Sequence, residues 1–364
     1  MDEPLPARPR KGRGAVGNPA PRFERERRAA IDDGWHQADG AEDDPPPLRT
    51  VVAIDAAKTI IARNDSPDIP FEQSINPYRG CEHGCVYCFA RPTHAFLGLS
   101  PGLDFETRLF AKRAAPELLR AELLQPSYRC KVIALGANTD PYQPIEREHR
   151  ITRRVLEVLR DFNHPVGVVS KSTLIRRDID ILAPMAAKGL ASAAISITTL
   201  DRDLARRLEP RAATPRRRLD AIRALSAAGV PVSVLASPMI PALNDHALES
   251  ILEAAHEAGA VGAGYILLRL PLELTQLFEE WLEAHAPGKA RHVMSLIRQA
   301  REGKTYRAEF GKRMTGTGAY AEMLRLRFET ACRRLGLNKR RELLRLDTTQ
   351  FRRPPQKGDQ LALF

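Results

Sequence analysis

Between Ser74 and Leu270, short apolar runs rich in β-branched residues alternate with longer stretches of helical period, and few folds accommodate such a chain. The spacing predicts strands at Ser74–Pro77, Lys131–Leu135, Val166–Ser170, Ala194–Thr198, Val230–Leu235 and Tyr265–Leu270. It predicts helices over Pro116–Leu124, Glu148–Asp161, Arg177–Lys188, Thr214–Ala228 and His246–Ala258, most opened by Pro, Asp or Thr and several closed by Gly, as caps require. Strand–helix–strand units with right-handed crossovers build a parallel sheet, so the fold class is α/β. Periodicity leaves open whether the sheet curls into a partial barrel or stays open. In either case the active face lies at the C-terminal ends of the strands, which brings Asn138-Thr139-Asp140, Lys171, Ser196, Glu209 and Asn244-Asp245 into view.

Three of the five cysteines stand together just after the first of these strands, in Cys81-Glu82-His83-Gly84-Cys85-Val86-Tyr87-Cys88. In a reducing compartment, thiolates this close repel one another and oxidise unless a metal neutralises them. The metal could be zinc, with His83 or His94 as a fourth ligand, or an iron–sulfur cluster whose three cysteines leave one iron open. Cys130 and Cys332 belong to other elements, and nothing supplies the second Cys-x-x-Cys knuckle of most structural zinc sites. A cluster with an open iron fits the triad better.

The rest of the chain sets limits. No apolar stretch approaches the ~20 residues that cross a bilayer, so no membrane partner is expected. The start, Met1-Asp2-Glu3-Pro4, lacks the pattern of a secretory signal, which points to the cytoplasm. Residues 1–50 hold eight Pro and five Gly with hardly an apolar cluster and read as disordered. Order is expected over 51–288 as the β/α core, then 289–349 as a basic helical region, with 350–364 a flexible tail. The net charge is +11, and from Arg298 to Phe364 there are 17 Lys and Arg against 7 Asp and Glu. A basic excess so localised suggests a polyanion such as nucleic acid, against the plainer reading of a solvated helical face. Gly259-Ala260-Val261-Gly262-Ala263-Gly264 precedes a strand, whereas a dinucleotide loop follows one, so it reads as a helix stop and turn.

Cys-x3-Cys-x-aromatic-Cys at the head of a six-unit β/α chain resembles the radical S-adenosylmethionine (SAM) enzymes, and the resemblance covers roughly residues 71–270. Asn76-Pro77-Tyr78-Arg79-Gly80-Cys81, Asn138–Glu146 and Gly311-Lys312-Arg313-Met314 resemble an uncharacterised bacterial branch labelled spore-photoproduct-lyase-like or DNA-repair-photolyase-like. The resemblance implies a partial (β/α)6 barrel with a helical basic C-terminal extension. It also implies a [4Fe–4S] cluster and SAM as cofactors, an electron donor of flavodoxin or ferredoxin type, and cleavage of SAM to a 5′-deoxyadenosyl radical. By position, Cys81, Cys85 and Cys88 would ligate iron and Tyr87 would lie near the adenine. Thr139 and Asp140 would hold the polar end of SAM, Lys171 would pair with its carboxylate, and Ser196 would reach carboxylate or ribose. Two departures matter. Where the lyase carries a hydrogen-returning cysteine this chain has Ala137, and where it has a tyrosine after the third cluster cysteine this chain has Phe89. Neither side chain carries a labile hydrogen, so the lyase's own reaction is not expected.

The leading expectation is therefore a radical SAM enzyme acting on nucleic acid or a nucleotide-like substrate. The alternatives are the same chemistry on a peptide or small metabolite, and a zinc-bearing nucleic-acid adaptor. The C-terminal Gln360-Leu361-Ala362-Leu363-Phe364 resembles the peptide by which bacterial polymerases and repair proteins hold the DNA sliding clamp. In that mode Gln360 would supply hydrogen bonds while Leu361, Leu363 and Phe364 enter an apolar pocket.

Overall fold

The β-branched runs do form parallel strands, stacked in the order in which they occur along the chain. The computed structural model describes residues 8–24 and 48–355. Its strands are β1 (Val51–Ile54), β2 (Ala62–Arg63), β3 (Gln73–Ile75), β4 (Tyr78–Arg79), β5 (Arg108–Ala111), β6 (Ile133–Leu135), β7 (Val166–Ser170), β8 (Ala191–Ser196), β9 (Val232–Met239) and β10 (Gly262–Leu267). A seven-stranded sheet runs β10-β9-β8-β7-β6-β3-β2, parallel throughout except for β2 against β3. A small sheet, β1-β5-β4, stands beside it. The sheet does not close by hydrogen bonding. It curls, because the connection before β3 and the chain beyond β10 meet: Arg313 reaches Asp68 at 2.5 Å and the Gly311 N–H donates to the same carboxylate at 2.7 Å. This is the partial barrel.

Helices pack the outer face as the alternation requires. The helix Pro215–Ala227 starts with Pro in its first turn and stops before Gly229, whose φ of 79° suits a residue without a Cβ. Two expectations need adjusting. The helix expected over Glu148–Asp161 is broken at Arg150, with φ 50°, into Glu146–His149 and Ile151–Asp161, and this break turns Glu146 inward. A short helix at Arg202–Leu208, capped by the Asp201 carboxylate on the Asp203 and Leu204 N–H groups, follows β8 where none was expected. The apolar faces of these helices and the sheet bury one continuous core. A second apolar cluster, centred on Trp281, Phe278 and Leu277, packs against Val86 and Tyr87 of the cysteine loop.

Residues 8–24 and 350–355 are more ordered than their composition predicts. Residues 8–24 do not behave as the disordered segment expected of 1–50: Arg13, Ala15 and Val16 are buried, and Ala15 and Val16 join the Trp281 cluster. The segment owes its order to partners far away in sequence, which composition cannot show. At the other end, Phe351 packs against the rings of Tyr128, Phe162 and His164, so 350–355 is anchored rather than part of a free tail. Between them, Asn338 grips the backbone of Ala263 in β10, the Asp347 N–H donates to Gly189, and the Arg352 N–H donates to Phe162. The chain from 338 to 352 thus straps the bottom of the barrel, opposite the strands' C-terminal ends. The clamp-like residues Gln360, Leu361, Leu363 and Phe364 lie outside the described residues. No helix among those described is long and apolar enough to cross a membrane.

His164 lies fully buried beneath Phe351, its Nδ1 3.0 Å from the Pro165 carbonyl and its Nε2 2.7 Å from the Tyr128 hydroxyl. Burial pulls its pKa down to about 4. Below the ordinary value near 6.5 the unfolded chain takes up a proton that the fold refuses, so stability falls as the pH drops from about 6.5 to 4, by up to about 3 kcal/mol. In urea melts across this range, His164→Gln should flatten that slope; an unchanged slope would assign the acid sensitivity elsewhere.

Candidate iron–sulfur and cofactor site

The three cysteines lie on a loop between β4 and the 3-10 helix Arg91–Leu97, and little of that loop is regular structure. Its shape comes from side chains. Gly80 and Gly84 take positive φ of 72° and 68°, turning the chain before and between the cysteines. Arg91 is fully buried and wraps the loop from below: Nε donates to the Cys85 carbonyl at 2.8 Å, Nη2 to Gly84 at 3.1 Å and to the Glu106 carboxylate at 2.5 Å, and Nη1 to Pro101 and Gly102. Glu106, also fully buried, accepts the N–H groups of Gly14 and Ala15 as well. On the other side Gln143 accepts the Glu82 N–H at 2.8 Å and donates to the Gly80 carbonyl at 3.2 Å.

The two quoted motifs interlock around this loop. Asn76 accepts the N–H groups of Asn138 and Thr139, the Thr139 hydroxyl donates to the Tyr78 carbonyl at 2.8 Å, and the Tyr78 hydroxyl donates to Glu146 at 2.5 Å. Thr139 and Asp140, expected to hold SAM, are thus largely engaged within the protein. Asp140 accepts from the Lys171 N–H at 2.7 Å, the Ser170 hydroxyl at 2.8 Å and the Tyr142 N–H at 2.8 Å, and faces His83 Nδ1 at 3.3 Å. A carboxylate offers about four such acceptor positions. Burial alone would raise the Asp140 pKa, but His83 and these N–H groups hold it below the ordinary value. Asp140 therefore fixes the ends of β6 and β7 and the His83 ring.

The floor of the site is a buried charged network. Lys171 Nζ donates to the Ser196 hydroxyl at 2.5 Å, lies 3.8 Å from Glu209 and stands 5.8 Å from the Tyr87 ring centre. Ser196 donates onward to the Ser237 carbonyl. Glu209, fully buried, accepts from the Tyr87 hydroxyl, the Thr198 hydroxyl and Arg218. Topology thus brings together Tyr87, Lys171 and Ser196 from three separate parts of the chain. Two cations, Lys171 and Arg218, share the Glu209 carboxylate, and Asp140 stands against the backbone of Lys171, so cations and carboxylates balance beside the cysteines. Burial lowers the Lys171 pKa, and Arg218 adds to this, while the facing Cys85 thiol opposes it.

The thiols suit a metal cluster. Burial pushes all three up in pKa, Cys81 and Cys85 strongly; Asp140 then raises Cys81 further and Glu209 raises Cys85. Buried this way they become thiolates only against a cation. Yet among the described residues no three His, Cys, Asp or Glu side chains converge on a point that could hold a single ion. Three buried thiols are the donor set of a cuboidal cluster that takes its cysteines on three separate irons. Of the two histidines weighed as a fourth ligand, His94 places Nε2 2.9 Å from the Arg108 carbonyl with its ring edge-on to Phe105, and His83 places Nδ1 3.3 Å from Asp140. Arg91, Glu106 and Arg218 were not singled out in the sequence as parts of this site, and Gln143 was quoted only within the Asn138–Glu146 motif; the place of Arg91 three residues after the last cysteine was a further signal.

Comparison with known proteins agrees with this geometry. The profile of the radical SAM superfamily matches residues 75–255. An uncharacterised protein of Mycobacterium tuberculosis is 37% identical over 233 residues, 64% of this chain and 68% of that one. One of Methanocaldococcus jannaschii, also uncharacterised, is 25% identical over 213 residues, 58% of this chain and 76% of that one. Spore photoproduct lyase superposes with a TM-score of 0.56 at 16% identity, covering 79% of this chain and 80% of that one, which speaks to the fold alone.

The N-terminal segment meets the cysteine loop backbone to backbone: a Cβ on Gly14 would stand 1.7 Å from the Gly84 carbonyl oxygen. Gly14→Ala should therefore lift residues 8–24 from the loop and lower stability by about 1–3 kcal/mol. Limited proteolysis should then cut within this segment, and an intact segment with an unchanged melting temperature would show that the contact yields freely.

Proposed function

Because the chain belongs to the radical SAM superfamily, we propose that it turns that superfamily's chemistry on a nucleic acid or a nucleotide-like substrate. It is an enzyme of radical chemistry that uses a [4Fe–4S] cluster and SAM. When bound, these cofactors supply a one-electron cleavage of SAM that yields a 5′-deoxyadenosyl radical able to abstract an unactivated hydrogen. The protein's part is to hold, orient and keep dry. Cys81, Cys85 and Cys88 carry the cluster, and the loop braced by Arg91 and Gln143 fixes their spacing. Lys171, steadied by Ser196 and Glu209, offers its remaining N–H donors to the SAM carboxylate. Tyr87, pinned by its hydroxyl, presents its ring to the space above Lys171.

The observation that carries the class is the superfamily match over residues 75–255, and the part-buried Lys171 with buried Arg218 on a single carboxylate beside Cys85 supports it. The substrate reading draws on the fold shared with spore photoproduct lyase, one double mutant of which was solved with AdoMet and a dinucleoside spore photoproduct bound. The basic excess after Arg298 contributes less than its count suggests. Arg325, Arg327 and Arg334 are paired with Glu322 and Glu329, Glu249, and Glu253, and the strap from 338 onward lies on the far face of the barrel. Ala137 and Phe89 offer no hydrogen to a product radical, so the reaction ends differently from that of the lyase. An electron donor of flavodoxin or ferredoxin type belongs to the same reading.

Lys171→Ala should keep its full iron content yet bind SAM roughly ten- to a hundredfold more weakly in anaerobic equilibrium dialysis, the loss of a charge-assisted partner worth ~1.5–3 kcal/mol. Wild-type affinity in that variant would remove Lys171 from the site. The reading also includes a sliding-clamp contact through Gln360, Leu361, Leu363 and Phe364. A peptide of residues 350–364 should bind the organism's own clamp and lose binding when Leu363 and Phe364 are both changed to Ala; no binding, or binding unaffected by that change, removes the clamp.

A further inference from the structure

One cation at the mouth of the barrel forms no salt bridge among the described residues. Arg269 lies just past the C-terminal end of β10, on the side of the site that the cysteine loop leaves open. Its guanidinium sits 5.1 Å from the ring centre of Phe89, the residue directly after Cys88, and 6.0 Å from that of Tyr306. Its one hydrogen-bond contact among the described residues is from Nη1 to the Met314 sulfur at 3.4 Å, a weak acceptor, and its buried Nε has no partner. A buried N–H left unpaired costs ~1–3 kcal/mol, so such a group calls for an explanation.

Its neighbours do not compete for the same task. Arg301 donates to the carbonyls of Leu267, Leu268, Lys312 and Arg313 and acts as a brace. Arg313 is held by Asp68, and Arg307 and Lys312 by Glu302. Asp68 is the acid whose charge reaches Arg269, but it accepts from Arg313 and the Gly311 N–H and makes no hydrogen bond with Arg269. Arg269 is therefore a planar fork of donors, held between two rings and without a hydrogen-bonded anion among the described residues. The Phe89 ring beside it is 44% exposed, an open aromatic face next to a free guanidinium. A planar donor fork suits phosphate, and an exposed ring beside it suits a nucleobase.

We propose that Arg269 binds a phosphate of a single-stranded nucleic-acid substrate while Phe89 stacks on the adjoining base. The assignment rests on the nucleotide reading given above and adds the contact that would deliver it. It also gives Phe89 a role in place of the hydrogen relay it cannot perform.

The test is anaerobic fluorescence anisotropy of a labelled oligothymidylate with the full-length, cluster-loaded protein across a salt series. Arg269→Gln should bind at least tenfold more weakly, and its log–log salt slope should be shallower by about 0.7, the share of one phosphate contact on a single strand. Phe89→Ala should weaken binding but keep the slope. Unchanged affinity and slope in Arg269→Gln would overturn the contact while leaving the nucleotide reading in place. If the wild type ignores the oligonucleotide but binds an acidic peptide, both fall together. Should Arg269→Gln lose its cluster, Arg269→Lys decides: the slope should persist with severalfold weaker binding, since an ammonium lacks the planar fork, and wild-type affinity there would count against the proposal.

Discussion

The site depends first on the buried ion pair between Arg91 and Glu106. The loop that carries the three cysteines has little regular structure, so its backbone groups need partners from elsewhere. Arg91 supplies donors to four carbonyls of that loop and its continuation, and Glu106 returns the charge while accepting two N–H groups from the N-terminal segment. One pair thereby fixes the cysteine loop, the chain that follows it and the N-terminal segment 8–24 that crosses it. Removing one member of such a pair strands a buried charge, at a cost of about 3–5 kcal/mol.

A second constraint shapes the floor. Burying two cations beside one carboxylate is unfavourable by itself, and the network around Glu209 makes it tolerable only by satisfying each donor: Tyr87, Thr198, Arg218 and Lys171 all converge there. Lys171, the less buried of the two cations, keeps N–H donors that a carboxylate-bearing cofactor would need. Structure and chemistry thus meet at residues contributed by the cysteine loop, β7, β8 and the helix Pro215–Ala227.

Much of this was legible in the sequence, unevenly. The alternation gave the parallel sheet because buried strands and amphipathic helices have distinct periods, and Val166–Ser170 appears with the bounds expected of it. Cys81, Cys85 and Cys88 declared themselves by spacing, and Lys171 and Ser196 by standing at strand ends. Asp140 was singled out by its place after a strand, but a single residue cannot reveal that its carboxylate accepts from Ser170, Lys171 and Tyr142. Long-range pairs were invisible: Glu106 meets Gly14 and Ala15, and Arg327 meets Glu249, across sequence distances that no local pattern spans. The same blindness made residues 8–24 look disordered and the basic C-terminal run look free.

The central claim is that the three cysteines hold one cluster with an iron left open to SAM. Electron paramagnetic resonance of the anaerobically purified, dithionite-reduced protein tests it most directly. The account predicts a [4Fe–4S]⁺ signal whose g values shift when SAM is added, as binding at the open iron requires. A colourless zinc protein, or a cluster signal indifferent to saturating SAM, would contradict it.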